Sequence, residues 1–356
     1  MAAKAKKKEQ KKTINLALQG GGSHGAFTWG VLDALLEDGR LDFEGISATS
    51  AGAMNAAALA QGKTAGGNEK ARETLELFWK EISDAGAFYN PLAQSQNAFT
   101  KFWSLDSNPA YSQFQAFFEN MLGSLSPYQF NPLNINPLRE VLKNIVSFDD
   151  IHACECTKLF ITATNVQKGT AKIFQNKDIT IDVLLASAGL PLLFQAVEIG
   201  RHSYWDGGYM GNPSLWPLFY EAGCRDILLV HVNPIRRDET PKDIAAIENR
   251  LNEITFNTAL LKELRAIDFV KRLINDDMLK DEYKDQYKDI LLHAVRADDV
   301  MHDLPASSKF DTDWSFLTDL RDLGRAEAQK WLKAHYKDIG RRATVDIQTD
   351  YLQAND

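Results

Sequence analysis

Gly45-Ile46-Ser47-Ala48-Thr49-Ser50-Ala51-Gly52-Ala53-Met54-Asn55-Ala56-Ala57-Ala58-Leu59-Ala60 changes character at a single serine. Gly45 to Ala48 reads as a short buried strand, and Ala51 to Ala60 as a helix whose small side chains permit close packing. Ser50 therefore falls on a sharp strand-to-helix turn, where a serine hydroxyl can be presented as a nucleophile. The start of the helix points free backbone N–H groups, and the positive end of the helix dipole, at any negative charge that forms beside the hydroxyl. Ala48, Thr49, Ser50, Ala51 and Gly52 also fit a capping serine among small neighbours, so the pentapeptide does not decide the chemistry alone.

Two other segments bear on that choice. Ile14-Asn15-Leu16-Ala17-Leu18-Gln19 reads as a strand that runs into Gly20-Gly21-Gly22-Ser23-His24-Gly25 and then into a helix from Ala26 to about Glu37. Such a glycine run exposes backbone N–H groups in one concave loop and so forms an anion cradle, either for a phosphate or for a transient oxyanion. Gly20, Gly22 and Gly25 also fit the spacing of a dinucleotide fingerprint. That motif needs an acid at the end of the next strand, whereas Asp42 and Glu44 are expected to precede it. Further on, Ser203-Tyr204-Trp205-Asp206-Gly207-Gly208-Tyr209-Met210-Gly211-Asn212-Pro213 places a carboxylate after a short strand, at a rigid turn. Asp-Gly-Gly alone is a turn signal. The order of glycine loop, serine turn and distant Asp206-Gly207-Gly208 is more specific than any one of them.

With these three motifs the chain resembles the patatin-like phospholipase family, bacterial type, from about residue 13 to 235. Ala186-Ser187-Ala188-Gly189-Leu190-Pro191 and Asn212-Pro213 extend the likeness. The resemblance implies a nucleophile at Ser50, a base at Asp206 in a Ser-Asp dyad without a triad histidine, and oxyanion donors in the Gly21 and Gly22 amides. It also implies an α/β three-layer sandwich with a mainly parallel central sheet. Two departures stand out. Ala48 replaces the glycine that usually opens the elbow, adding a methyl where strand and helix come close, and His24 stands where many relatives carry arginine. That histidine either braces the loop by bonding to nearby backbone, binds phosphate when protonated, or acts as a base.

The chemistry can also be argued from the residues. A serine hydroxyl needs a base to take its proton, and the attacked carbonyl needs preorganised donors for its negative charge. An aspartate, with an ordinary pKa near 3.9, is a weak base, so such a dyad requires a short direct contact sheltered from water. His152, His202, His231, His293, His302 and His335 show no metal-ligand spacing and read as surface or core residues, so no metal and no cofactor is expected.

The chain has 356 residues, is 44% hydrophobic and carries a net charge of −8, enough to bury a substantial core. Residues 1–12 hold six lysines and one acid and read as a flexible basic arm, so the remaining body is strongly acidic and unsuited to nucleic acid. The arm is either a solubilising start or an attraction to anionic membrane. Cys154, Cys156 and Cys224 are odd in number and form no Cys-x-x-Cys pair, which fits a reducing, cytoplasmic setting. The most apolar stretch, Ile181 to Ile199, is interrupted by Asp182, Pro191 and Glu198 and does not read as a membrane span.

Strands are expected at Ile14–Leu18, Gly45–Ala48, Leu159–Thr164, Ala171–Phe174, Ala196–Ile199 and Ile227–Val232, alternating with helices such as Ala71–Ile82 and Pro137–Val146. Residues 13–235 form the expected catalytic domain. Within it, the aromatic-rich insertion 84–135 is either a lid or acyl groove, or plain packing. Residues 236–356 form a C-terminal helical extension, with one amphipathic helix over Ile244–Ile274 carrying Leu251, Ile254, Leu261, Leu264, Ile267, Val270 and Ile274, and a last helix over Trp314–Tyr336. The leading expectation is a serine hydrolase acting on lipid or other acyl esters. The alternatives are an esterase for another hydrophobic ester, such as a storage polyester, and a catalytically silent lipid-binding protein marked by Ala48.

Overall fold

The computed structural model describes residues 11–89, 125–284, 286–304 and 306–352. Most of the basic arm, and residues 90–124 of the aromatic-rich stretch, lie outside them, and with them the reading of that stretch as a lid.

Eight strands form one sheet: β1 (Lys12–Leu18), β2 (Leu41–Ala48), β3 (Lys158–Asn165), β4 (Thr170–Gln175), β5 (Val197–Ile199), β6 (His202–Asp206), β7 (Asp226–His231) and β8 (Leu291–Arg296). Their order is β5-β6-β3-β2-β1-β7-β8, with β4 also on β3. β3, β2, β1, β7 and β8 are mutually parallel, while β4 and β6 run antiparallel to β3, and β5 runs antiparallel to β6. The parallel strands read as continuous apolar runs because helices cover both of their faces.

Alternation along β1 shows the two faces directly. Leu16 and Leu18 join the core formed with helices α1 (Gly25–Asp38) and α2 (Ala51–Tyr89), whereas Ala17 joins the opposite core. α2 breaks its helical path at Gly66 and Gly67. α3 (Pro137–Ile145) and α4 (Ile181–Ser187) complete the first layer, and the other face is covered by α5 (Ile244–Asn275) through Leu260, Leu264 and Ile267. Each such leucine removed from water contributes roughly 1.5–3 kcal/mol. The buried face of α5 differs from the expected stripe: Leu251 and Ile254 are exposed, while Phe256 and Leu260 point inward.

The C-terminal region is helical, as expected, but it also completes the sheet. β8, which was not among the expected strands, pairs with β7 along its whole length. α6 (Trp314–His335) lies against α1, where Arg325 and Arg72 of α2 together grip Asp33 and Glu37. Lys12, expected to be the last residue of the arm, opens β1 and donates to the carbonyls of Tyr336 and Ile339 at 2.9 Å each. Asp42 and Glu44 lie inside β2 instead of ahead of it, because the strand starts at Leu41. Neither ends the strand, and Glu44 accepts the Gly223 and Cys224 amides at 2.5 and 2.7 Å.

Candidate active site

β1 and β2 release their chains side by side at the C-terminal edge of the parallel strands. After Ala48 the Thr49 amide still donates to Leu18 O, at 3.3 Å, and Ser50 then turns to φ 55° before α2 begins. A serine in this left-handed region is held against a cost of about 1–2 kcal/mol. The holding contacts are close by: Thr49 Oγ1 donates to Gly211 O at 2.7 Å, the Ser50 amide to Ser187 Oγ at 2.9 Å, and the Ala53 amide to Ser50 O at 2.8 Å. Ala48 is fully buried, in register with Leu18 and Ile161, and the elbow forms with its methyl in place. Ala48→Gly is therefore expected to change kcat/KM by less than about tenfold, under ~1.4 kcal/mol in transition-state energy. A rise of several hundredfold in steady-state assays would show that the methyl holds the serine out of register.

Asp206 arrives from the other direction. It ends β6, antiparallel to β3 and opposite Ala163, so its carboxylate reaches the serine from inside the sheet and not from a parallel strand end. Asp206 Oδ1 accepts the Gly208 amide at 2.7 Å, and the Ser50 side chain lies within electrostatic reach of the same carboxylate. The side chain is almost fully buried. Burial pushes its pKa from the usual range up to about 7, although the Gly208 hydrogen bond, the Ser50 side chain and the charge of Lys309 all pull it down. An aspartate so placed is a far better base than one in water.

The glycine loop closes the arrangement. Gly20 donates its amide to Asn212 Oδ1 at 2.7 Å and accepts Asn233 Nδ2 at 2.7 Å, while Gln19 Oε1 receives the Val232 and Asn233 amides. Gly20 also lies so near the elbow that a Cβ there would stand 2.6 Å from Ser50 Cβ. Gly21 and Gly22 follow, then Ser23 and His24 in a short turn that leads into Gly25 and α1. His24 braces the loop, but against a distant hydroxyl and not nearby backbone: its Nε2 meets Ser308 Oγ at 2.7 Å. Burial, and then the charge of Lys309, hold its pKa down to about 3, which favours the neutral ring at physiological pH.

The structure thus brings Ser50, Asp206, Gly207, Gly208 and the loop Gly20 to Gly25 to one place. It adds residues to which the motifs gave no role: Gln19, Ser187, Asn212, Asn233, Ser308 and Lys309. Gln19, Ser187 and Asn212 lie within or beside the three motifs, whereas nothing in the sequence links positions 233, 308 and 309 to the loop. The other histidines have local partners, such as His293 on Asp226 at 3.1 Å and His152 on Ile179 O at 2.8 Å. Among the described residues no group of His, Cys, Asp and Glu side chains is arranged to hold a metal ion, and no helix is long and apolar enough to cross a membrane.

A mainly parallel α/β sheet with a serine on a strained elbow beside a glycine loop defines a class, and the comparisons give it a family. The model of the patatin-like phospholipases matches residues 16–219, more than half of the chain, from β1 through the elbow to just beyond the Asp206 turn. The chain belongs to the patatin-like phospholipase family. No curated protein matches it. Among solved structures it is similar to the crystal structure of VipD from Legionella pneumophila, at 15% identity and a TM-score of 0.42, over 97% of this chain and 73% of that one.

Proposed function

We propose that this protein is a serine acyl hydrolase that cleaves lipid ester bonds with Ser50 as nucleophile and Asp206 as its only base. Membership of a family of lipid hydrolases supports the substrate class. The observation that carries the mechanism is the packing of the buried Asp206 turn and of the Gly20 loop against the Thr49–Ser50 elbow, with burial raising the Asp206 carboxyl above its usual range.

Asp206 takes the Ser50 proton as Oγ adds to the ester carbonyl, and the charge that develops on the carbonyl oxygen needs donors already in position. The Gly20 amide is committed to Asn212, which leaves the Gly21 and Gly22 amides for that oxygen. Collapse of the tetrahedral intermediate expels the alcohol, which receives its proton from Asp206, and leaves an acyl-Ser50 ester. Water, deprotonated by the same carboxylate, then releases the acid. Labelling of Ser50 by a fluorophosphonate probe, together with hydrolysis of a diacyl phospholipid, tests the reading. A protein that neither labels nor hydrolyses any acyl ester overturns it.

The raised pKa gives a second check with a definite sign. Protonated Asp206 cannot act as base, so activity falls as pH drops through its pKa. For a small soluble ester, kcat/KM should rise with pH through a midpoint near 7 and then level off. A midpoint near 4 in the measured pH profile would mean that the carboxylate is hydrated in the working enzyme.

A further inference from the structure

Lys309 lies beyond the segment matched by the family model, in the short turn Ala306–Phe310 that precedes α6, yet its turn closes over the glycine loop. A Cβ on Gly22, whose φ is 58°, would run into the Lys309 carbonyl oxygen, so the two backbones are in direct contact. The preceding residue, Ser308, holds His24. The Lys309 ammonium donates to Asn233 Oδ1 at 3.0 Å and Asn252 Oδ1 at 3.3 Å, and Asn233 in turn donates to Gly20 O. A continuous chain of contacts therefore runs from Lys309 through Asn233 to the residue packed on Ser50 Cβ.

Building on the Ser50–Asp206 reading, we propose that Lys309 is a positioning residue of this reaction: it fastens the glycine loop beside Ser50 through Asn233 and Gly20, and its charge biases the Asp206 carboxylate. The groups around the pair are few. Asp206 has Ser50 from the elbow, Tyr209 from its own turn and Lys309 from the C-terminal region within electrostatic reach. Lys309 has Glu253 of α5, which is bound by Arg237 and Arg250, then Arg237 itself, Asp206 and the neutral His24. Burial lowers the Lys309 pKa; Glu253 opposes this, Arg237 adds to it, and Asp206 opposes it in turn. Because Lys309 makes no hydrogen bond to Asp206, it biases where the aspartate titrates without competing with Ser50 for the carboxylate.

Lys309→Met keeps the length and deletes the charge. In this variant the acidic midpoint of kcat/KM should move upward by about one pH unit, and kcat on the plateau should fall while KM for a small soluble ester stays within about twofold. Lys309→Arg, which keeps the charge, should restore the wild-type midpoint. If Lys309→Met fails to fold, Lys309→Gln, which retains N–H donors for Asn233 and Asn252, should fold and show the same upward shift. A midpoint unmoved in whichever neutral variant folds overturns the proposal and reduces Lys309 to a packing residue. Wild-type activity that depends on Ser50, with no shift on neutralising Lys309, would spare the dyad and remove only this inference. Loss of Ser50 dependence would remove the dyad instead.

Discussion

Ser50→Ala and Asp206→Asn are each expected to reduce ester hydrolysis by roughly 10³-fold or more, and the double variant should be hardly worse than either single one. In the proposed mechanism the two groups share a single event, the transfer of the serine proton, and removing either one abolishes it. Steady-state kinetics on a soluble ester measure all three variants. Additive losses, or more than about a tenth of wild-type activity left in Ser50→Ala, would assign the nucleophile elsewhere. Asp206→Asn carries an opposite signature in stability. The folded-state pKa of Asp206, about 7, lies above the ordinary value of 3.8, so the folded protein binds this proton more tightly than the unfolded chain does. Its contribution to stability is fully present below the ordinary carboxylate pKa and is lost as pH rises to about 7 and beyond. Because three pH units correspond to roughly 4 kcal/mol at most, the asparagine variant should melt at a higher temperature than wild type at pH 8 and show no such gain near pH 4. Activity and stability changing in opposite directions on one substitution would mark a carboxylate kept buried for its chemistry.

The pieces of this site that were legible in the sequence are those whose constraint is local. A run such as Ile14 to Leu18 reads as a strand, and the three successive glycines after it as a tight loop that exposes its backbone. The same holds for the change from strand to small-residue helix across Ser50, and for the long helix from Ile244, whose bounds in the structure are Ile244–Asn275. β8 was not legible. Leu291-Leu292-His293-Ala294-Val295-Arg296 follows a strongly charged stretch and carries a histidine, and only pairing with β7 shows that His293 is buried against Asp226 and Thr344. The inward face of α5 was misjudged at Leu251 and Ile254 for a related reason: helical spacing gives the period of a stripe but not which side the neighbouring sheet covers. Lys309 lies at the far end of that scale. It sits in a serine- and alanine-containing turn that reads as a connector, and its approach to Gly22 arises only because the chain between β8, on β7, and α6, on α1, passes the glycine loop.

Gly20→Ala should lower kcat/KM by about 10²-fold while leaving secondary structure unchanged. The argument is one of distance. A Cβ at this position would stand 2.6 Å from Ser50 Cβ and 2.9 Å from Thr49 O, so the loop or the elbow must yield by about 1 Å to reach ordinary contact. The elbow is poorly able to yield, because Thr49 is tied to Leu18 and Gly211 and Ser50 to Ser187 and α2. The loop is held on its other side by Asn212 and Asn233. Whichever gives way, the distance between the Ser50 hydroxyl and the proposed oxyanion donors of Gly21 and Gly22 changes, and on that proposal these groups must meet the carbonyl together. Gly21→Ala provides the control. A Cβ there meets the Val232 methyl at 3.0 Å, His24 Cβ at 3.6 Å and Asn233 Oδ1 at 3.8 Å, all side-chain atoms, and the Gly21 φ of 176° is open to any residue. Its loss should stay below about tenfold. Fluorophosphonate labelling rates, with circular dichroism and thermal melts to confirm folding, separate the two variants. Equal losses in both would mean that the loop is soft, and that the placement of Gly20 against Ser50 does not set the geometry of the reaction.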